Sequence, residues 1–132
     1  LIERLGGVRF LVAGSGTAEA ELKAQARALG LMEHGTFIGW TGDDVLHSLY
    51  RIADLCLVPS IYEPFGLVAL EAMASGCPTI VADTGGLAQC GFGFGVAPRL
   101  VRNAAQGETR LLDIAAAQLK ARGDRYEREG IG

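Results

Sequence analysis

Four short apolar or β-branched runs, "VRFLVAG" (8–14), "TFIG" (36–39), "LCLVPS" (55–60) and "TIVAD" (79–83), alternate with three helical patterns. The first pattern carries Leu22, Ala26 and Leu29 on one stripe, the second is "DDVLHSLYRIA" (43–53), and the third lies within "PSIYEPFGLVALEAMASG" (59–76). This alternation is the rhythm of successive βαβ units, and the unbroken apolarity of "LCLV" and "TIVA" suits strands covered on both faces. The expected fold class is α/β, a three-layer sandwich with a mostly parallel sheet between helices. Local punctuation agrees: Gly30 closes the first helix, Thr41 or Asp43 can cap the second, and Gly76 with Pro78 ends the third. With 132 residues, 49% of them hydrophobic, the chain suits one cored domain.

The opening "LIERLGG" reads as a helix end closed by Gly6 or Gly7, so the chain is expected to begin inside a fold. Beyond Gly86 the pattern changes. "CGFGFGVAPRLVRNAAQG" (90–107) is rich in glycines that weaken a strand, although "FGVAP" (94–98) fits a short edge strand ended by Pro98. A helix is expected over 108–122, with Leu112, Ala115, Ala116 and Leu119 on one face, and the charged "RGDRYEREGIG" (122–132) is expected to fray. Residues 1–132 thus read as a single partial domain whose last part, 90–132, departs from the regular pattern.

A net charge of −3 without a run of Lys or Arg excludes an electrostatic footprint for nucleic acid, which points to small-molecule partners. No apolar stretch approaches the roughly 18 residues of a membrane span, and the first residues lack signal-peptide order, so a soluble, cytoplasmic protein is expected. Cys56, Cys77 and Cys90 are odd in number and show no C-x-x-C spacing, as buried reduced thiols would be. No spaced set of ligands suggests a metal, and no cofactor is expected.

The third helix is apolar nearly all round yet carries one carboxylate, Glu71, with a second, Glu63, in the loop before it. In a parallel sheet ligands sit beyond the carboxyl ends of strands, where the loop following "LCLVP" must lie. A helix starting near Gly66 leaves the amides of Gly66, Leu67 and Val68 without intrahelical acceptors, at the positive end of its dipole, where a phosphate fits. Gly66 allows close approach and Pro64 stiffens the entry. Glu71 follows about 7.5 Å along the axis and leans back toward the N-terminus. From there it can accept hydrogen bonds from a vicinal diol such as a ribose presents. An ionised carboxylate among Val68, Leu70, Ala72, Met73 and Ala74 is costly unless it has such a partner or a cation.

"E-P-F-G-L-V-A-L-E", from Glu63 to Glu71, resembles the E-x7-E motif of retaining glycosyltransferases with the GT-B fold, such as the family 4 enzymes and glycogen or starch synthases. "EAMASGCP" after it, "TGGL" at Thr84 to Leu87, and "VAGSG", "FIGW" and "LYRIADL" before it fall in the same order, so the resemblance covers about Leu1 to Gln89. It implies a Rossmann-like domain, the C-terminal, donor-binding half of a GT-B enzyme, which transfers a hexosyl group from a nucleotide-sugar with retention. It implies further that Glu71 holds the ribose hydroxyls, that the amides of Phe65, Gly66 and Leu67 face the diphosphate or sugar, and that Glu63 stands beside the transferred hexose as the catalytic carboxylate. Trp40 and Thr41 match the position of the base. The phosphate-clamping Arg and Lys of the family lie on an earlier strand and loop that this chain is expected to lack, the acceptor belongs to an N-terminal domain that is expected to be absent as well, and peripheral membrane contact is expected of the intact enzyme. After "TGGL" the family commonly continues with Ala and Glu, whereas Gln89 stands here.

"VAGSGTAE" also holds a G-x-G between strand and helix, but Glu19 occupies the third glycine position of a dinucleotide site. Gly14 and Gly16 are instead expected to form a tight turn near the donor crevice. His34 and His47 have no spaced partner, and His47 fits a helix surface. Two other functions stay open: a GT-B-type nucleotide-sugar 2-epimerase, and a non-catalytic remnant.

Overall fold

The structure, a computed structural model, describes residues 7–60, 62–82, 99–101 and 128. The chain divides after Leu46 into two compact units. In the first, β1 (Phe10–Ala13), α1 (Glu19–Ala28) and β2 (Gly35–Gly39) form one βαβ unit. The strands are parallel, with Phe10 opposite Gly35 and Val12 opposite Phe37, and the register shifts at Ala13, which faces Gly39. Glu19 and Glu21 sit in the first turn of α1 and Arg27 in the last, each favourable to the helix dipole. Lys23 reaches Glu19 at 2.7 Å and lies 5.7 Å from the centre of the Phe37 ring, a cation–π contact that ties helix to strand.

Gly30 closes α1 as expected. At φ 66° its N–H donates to Arg27 O at 3.0 Å while that of Leu31 donates to Ala26 O at 2.8 Å, the paired bonds of a Schellman end. The expected apolar stripe is only partly realised, since Ala26 is buried while Leu22 and Leu29 are exposed.

Phe10 and Phe37 meet edge to face, with ring centres 6.4 Å apart. A Cβ at Gly35 would overlap the Phe10 ring. Gly35→Ala is therefore expected to displace Phe10 from Phe37 and to lower stability by about 1–3 kcal/mol, measured as a fall in the urea midpoint.

α2 (Asp43–Ile52) contains the unit boundary. Neither expected cap residue caps it: Gly42 O accepts the first intrahelical bond, from Leu46 N–H at 3.0 Å, and the Thr41 hydroxyl donates to Gly42 O at 3.4 Å. Asp43 and Asp44 act from inside the first turn, facing the dipole.

In the second unit β3 (Cys56–Val58), α3 (Leu67–Ala74), β4 (Thr79–Ala82) and β5 (Arg99–Val101) follow. The sheet order is β3-β4-β5 and both pairings are parallel, with Cys56 opposite Thr79 and Ile80 opposite Arg99. Val58, Ala69, Met73 and Val81 form the buried cluster, with Cys56 and Leu70 packed on it. The chain leaves α3 through Gly76 at φ 80°, where Gly76 N–H donates to Met73 O and Cys77 N–H to Ala72 O, both at 2.9 Å. β4 is covered on both faces as its apolarity predicts. β3 is not, because the period of two sends Cys56 and Val58 toward α3 and leaves Leu57 41% exposed.

The edge strand β5 runs over Arg99–Val101. The "TGGL" loop, the "FGVAP" run, Cys90, the helix expected over 108–122 and the opening "LIERLG" lie outside the described residues; Gly7 has a left-handed φ of 60°. Among the described residues no helix is long and apolar enough to cross a membrane.

Candidate functional site

The loop 59–66 leaves the carboxyl end of β3 and delivers the chain to α3. Gly66, buried and at φ 83°, is the residue before the first helical turn, and its left-handed backbone is one that a side chain disfavours. Its carbonyl accepts Leu70 N–H at 3.1 Å, so the amides of Leu67, Val68 and Ala69 have no intrahelical acceptor. The two preceding amides are engaged. Phe65 N–H and Gly66 N–H donate to one oxygen, Oε1 of Glu63, at 3.3 Å and 3.0 Å. Of the amides expected to meet an anion, those of Phe65 and Gly66 thus meet a carboxylate of their own loop, and those of Leu67 and Val68 head the helix.

α3 turns Ala69, Ala72 and Met73 inward. Its other side carries Leu67, 59% exposed, Val68, 44% exposed, and the half-buried Glu71, which stands four and three residues from them on one face. Among the described residues Glu71 makes no ion pair and no side-chain hydrogen bond. Phe65 and Tyr62 are exposed beside the helix entry. The structure therefore brings together Glu63, Phe65, Gly66, Leu67, Val68 and Glu71 on one loop and the first turns of one helix.

The remaining expected residues belong to the first unit. Gly14 N–H donates to Gly39 O at 2.7 Å, which ties the turn after β1 to the turn after β2. Gly14 and Gly16, Trp40 at 78% exposure and the half-buried Thr41 thus share the carboxyl ends of the β1–β2 pair. Gly14 needs its φ of 111°, and a Cβ there or at Gly16 would point into open space. The first turn of α1 presents Glu19 and Glu21, the sign that disfavours an anion at a helix start. His47 is exposed on α2, as expected.

A neighbour of Glu71 that the sequence reading did not single out is Tyr50, the buried residue of α2. Burial, with Cys56 and then Glu71 and Cys77 adding negative charge, pushes its phenol up to about 12. Burial, then Cys77, pushes the Cys56 thiol from 9.0 to about 12. The signal available in the sequence was the i, i+4 pair Leu46 and Tyr50 on an amphipathic segment. Cys56 and Cys77 are free thiols, half-buried and buried, as expected.

These groups set an alkaline limit. The unfolded chain releases the thiol proton near 9 and the phenol proton near 10, whereas the folded chain keeps both to about 12. Their contribution to stability is whole below pH 9 and is lost as the pH rises through about 12. Urea midpoints are expected to fall from pH 9 upward, and the double variant Tyr50→Phe, Cys56→Ala to flatten that fall. A wild-type midpoint unchanged up to pH 11 would contradict the assignment.

Alternating β and α elements with parallel strand pairings define an α/β, Rossmann-like protein. Residues 2–90 match the family of glycosyl transferases group 1, and the chain belongs to that family. It is 40% identical over 124 residues to the glycogen synthase of Mycobacterium tuberculosis, covering 90% of this chain and 30% of that protein. It is 46% identical over 110 residues to the D-inositol 3-phosphate glycosyltransferase of Rhodococcus erythropolis, covering 80% of this chain and 22% of that one. An uncharacterised glycosyltransferase of Methanocaldococcus jannaschii is 44% identical over 79 residues, 60% of this chain and 20% of the relative. The fold is similar to that of the lipopolysaccharide outer core galactosyltransferase WaaB in its apo form, with a TM-score of 0.62 at 23% identity over 74% of this chain and 28% of that one. The chain spans 20% to 30% of the length of these relatives.

Proposed function

We propose that this chain binds the nucleotide-sugar donor of a retaining hexosyltransferase, with α3 as the centre of the donor site. The observation that carries this reading is Glu71: a half-buried carboxylate without an ion pair or side-chain hydrogen bond among the described residues, on the same helix face as Leu67 and Val68, just beyond the helix amides. The amides of Leu67 and Val68, with the helix dipole, take the diphosphate and stabilise the charge that builds on it as the sugar departs. Glu71 accepts the two ribose hydroxyls. Glu63 stands beside the hexose, where its negative charge favours an oxocarbenium-like sugar.

The acceptor is bound by parts of the enzyme that lie beyond this chain's share of its relatives, so the isolated chain binds donor and turns over weakly or not at all. The names of the relatives include a glycogen synthase and an inositol 3-phosphate glycosyltransferase, which supports sugar transfer as the common activity. Calorimetric titration of the chain with UDP, ADP and GDP tests the reading. Saturable heat with one of the three supports it, and no heat with any of them rejects it in favour of a remnant.

A further inference from the structure

We propose that Glu63 is a positioning residue that acts on the donor site through the backbone of its own loop. The inference rests on the reading of α3 as the donor site. Both hydrogen bonds that Glu63 accepts converge on Oε1, from Phe65 N–H at 3.3 Å and Gly66 N–H at 3.0 Å. They close a four-residue turn in which Pro64 has a restricted φ and Gly66 is held at 83°. That turn aims the next amides, those of Leu67 and Val68, out of the end of α3. The half-buried carboxylate makes no other hydrogen bond among the described residues, so one oxygen is committed to the loop and Oε2 is left to face a ligand. A charge-bearing acceptor at a helix entry holds its amides more firmly than a neutral one, but any well-placed carbonyl oxygen can do the same work.

This division of labour makes the amide variant informative. Glu63→Gln has one acceptor oxygen, which the two loop amides claim, and its NH2 group then stands where Oε2 stood. The loop is preserved while hydrogen-bond polarity at the ligand-facing atom is reversed. Glu63→Ala and Glu63→Met lose the loop bonds as well. Hydrogen exchange resolved by NMR on the whole chain reads the first effect, and titration with UDP, ADP and GDP reads the second.

In E63A and E63M the Phe65 and Gly66 amides are expected to exchange about 10-fold faster, and the nucleoside diphosphate to bind about 10-fold more weakly. The Val81 amide, in the core, stays unchanged as the control for folding. E63Q is expected to keep exchange at the Phe65 and Gly66 amides within about 2-fold of wild type. Unchanged exchange at Phe65 and Gly66 in E63A and E63M overturns the proposal, and so does an E63Q variant whose Phe65 and Gly66 amides exchange as fast as those of E63A. If exchange follows the expected pattern while the wild-type chain binds none of the three nucleotides, the loop role of Glu63 stands and the donor-site reading falls.

Discussion

Glu71→Ala is expected to weaken nucleoside diphosphate binding about 100-fold, the largest effect of any single side chain in the site. Two hydrogen bonds from ribose hydroxyls to a charged acceptor contribute about 1.5 kcal/mol or more each, and the alanine variant loses both. Glu71→Gln keeps an acceptor and is expected to lose about 10-fold. Stability separates this from a folding defect. Glu71 is half-buried with no ion pair or side-chain hydrogen bond among the described residues, so its removal should move the unfolding free energy by no more than about 0.5 kcal/mol. Tyr50 supplies an independent reporter, because Glu71 is one of the charges that hold its phenol at about 12. Its ionisation, followed by NMR, should shift downward in the same variant. Calorimetry in which Glu71→Ala binds as tightly as wild type would remove Glu71 from the site.

Met73→Ala carries the largest expected effect on stability, about 2–5 kcal/mol by urea denaturation. Met73 is 4% exposed and joins Val58, Ala69 and Val81 in the cluster that seats α3 on the sheet. Ala69 and Ala72 beside it on the helix are fully buried and too small to collapse into the space it leaves. The truncation therefore leaves a cavity and loosens the platform from which Leu67, Val68 and Glu71 project. Nucleotide affinity should fall along with stability, in contrast to Glu71→Ala. A loss below about 1 kcal/mol would mean that α3 is held by something other than this cluster.

Most of the local structure was legible because it depends on short-range chemistry. Gly30 and Gly76 end their helices with the paired bonds their positions predict, since a left-handed residue after a helix is a problem only glycine solves cheaply. The runs around Phe10, Phe37, Leu57 and Ile80 are strands because β-branched and aromatic residues recur there between turn residues. What escaped depends on neighbours distant in sequence. Leu57 looked like a two-sided core residue, but burial is decided by what covers the second face of β3. Leu22 and Leu29 looked like an inward stripe, but both are exposed while Ala26 is buried. Thr41 and Asp43 had the right chemistry for a cap, yet the helix begins one residue after Gly42, and a shift of one residue moves every cap position.

The candidate site divides along the same line. Gly66 and Glu71 were identifiable from helix geometry, because a helix entry and a position one to two turns along are related by the fixed rise of a helix, whereas Glu63 entered through the resemblance of its motif. The alternation of runs also pointed to an α/β architecture and put the loop before α3 at the carboxyl side of β3. Tertiary structure decided which way each group is used: that Oε1 of Glu63 turns onto Phe65 and Gly66, that Leu67 and Val68 stand exposed while Met73 is buried, and that Tyr50 comes near Glu71. Those outcomes follow from desolvation and hydrogen-bond competition between groups the chain brings together only on folding.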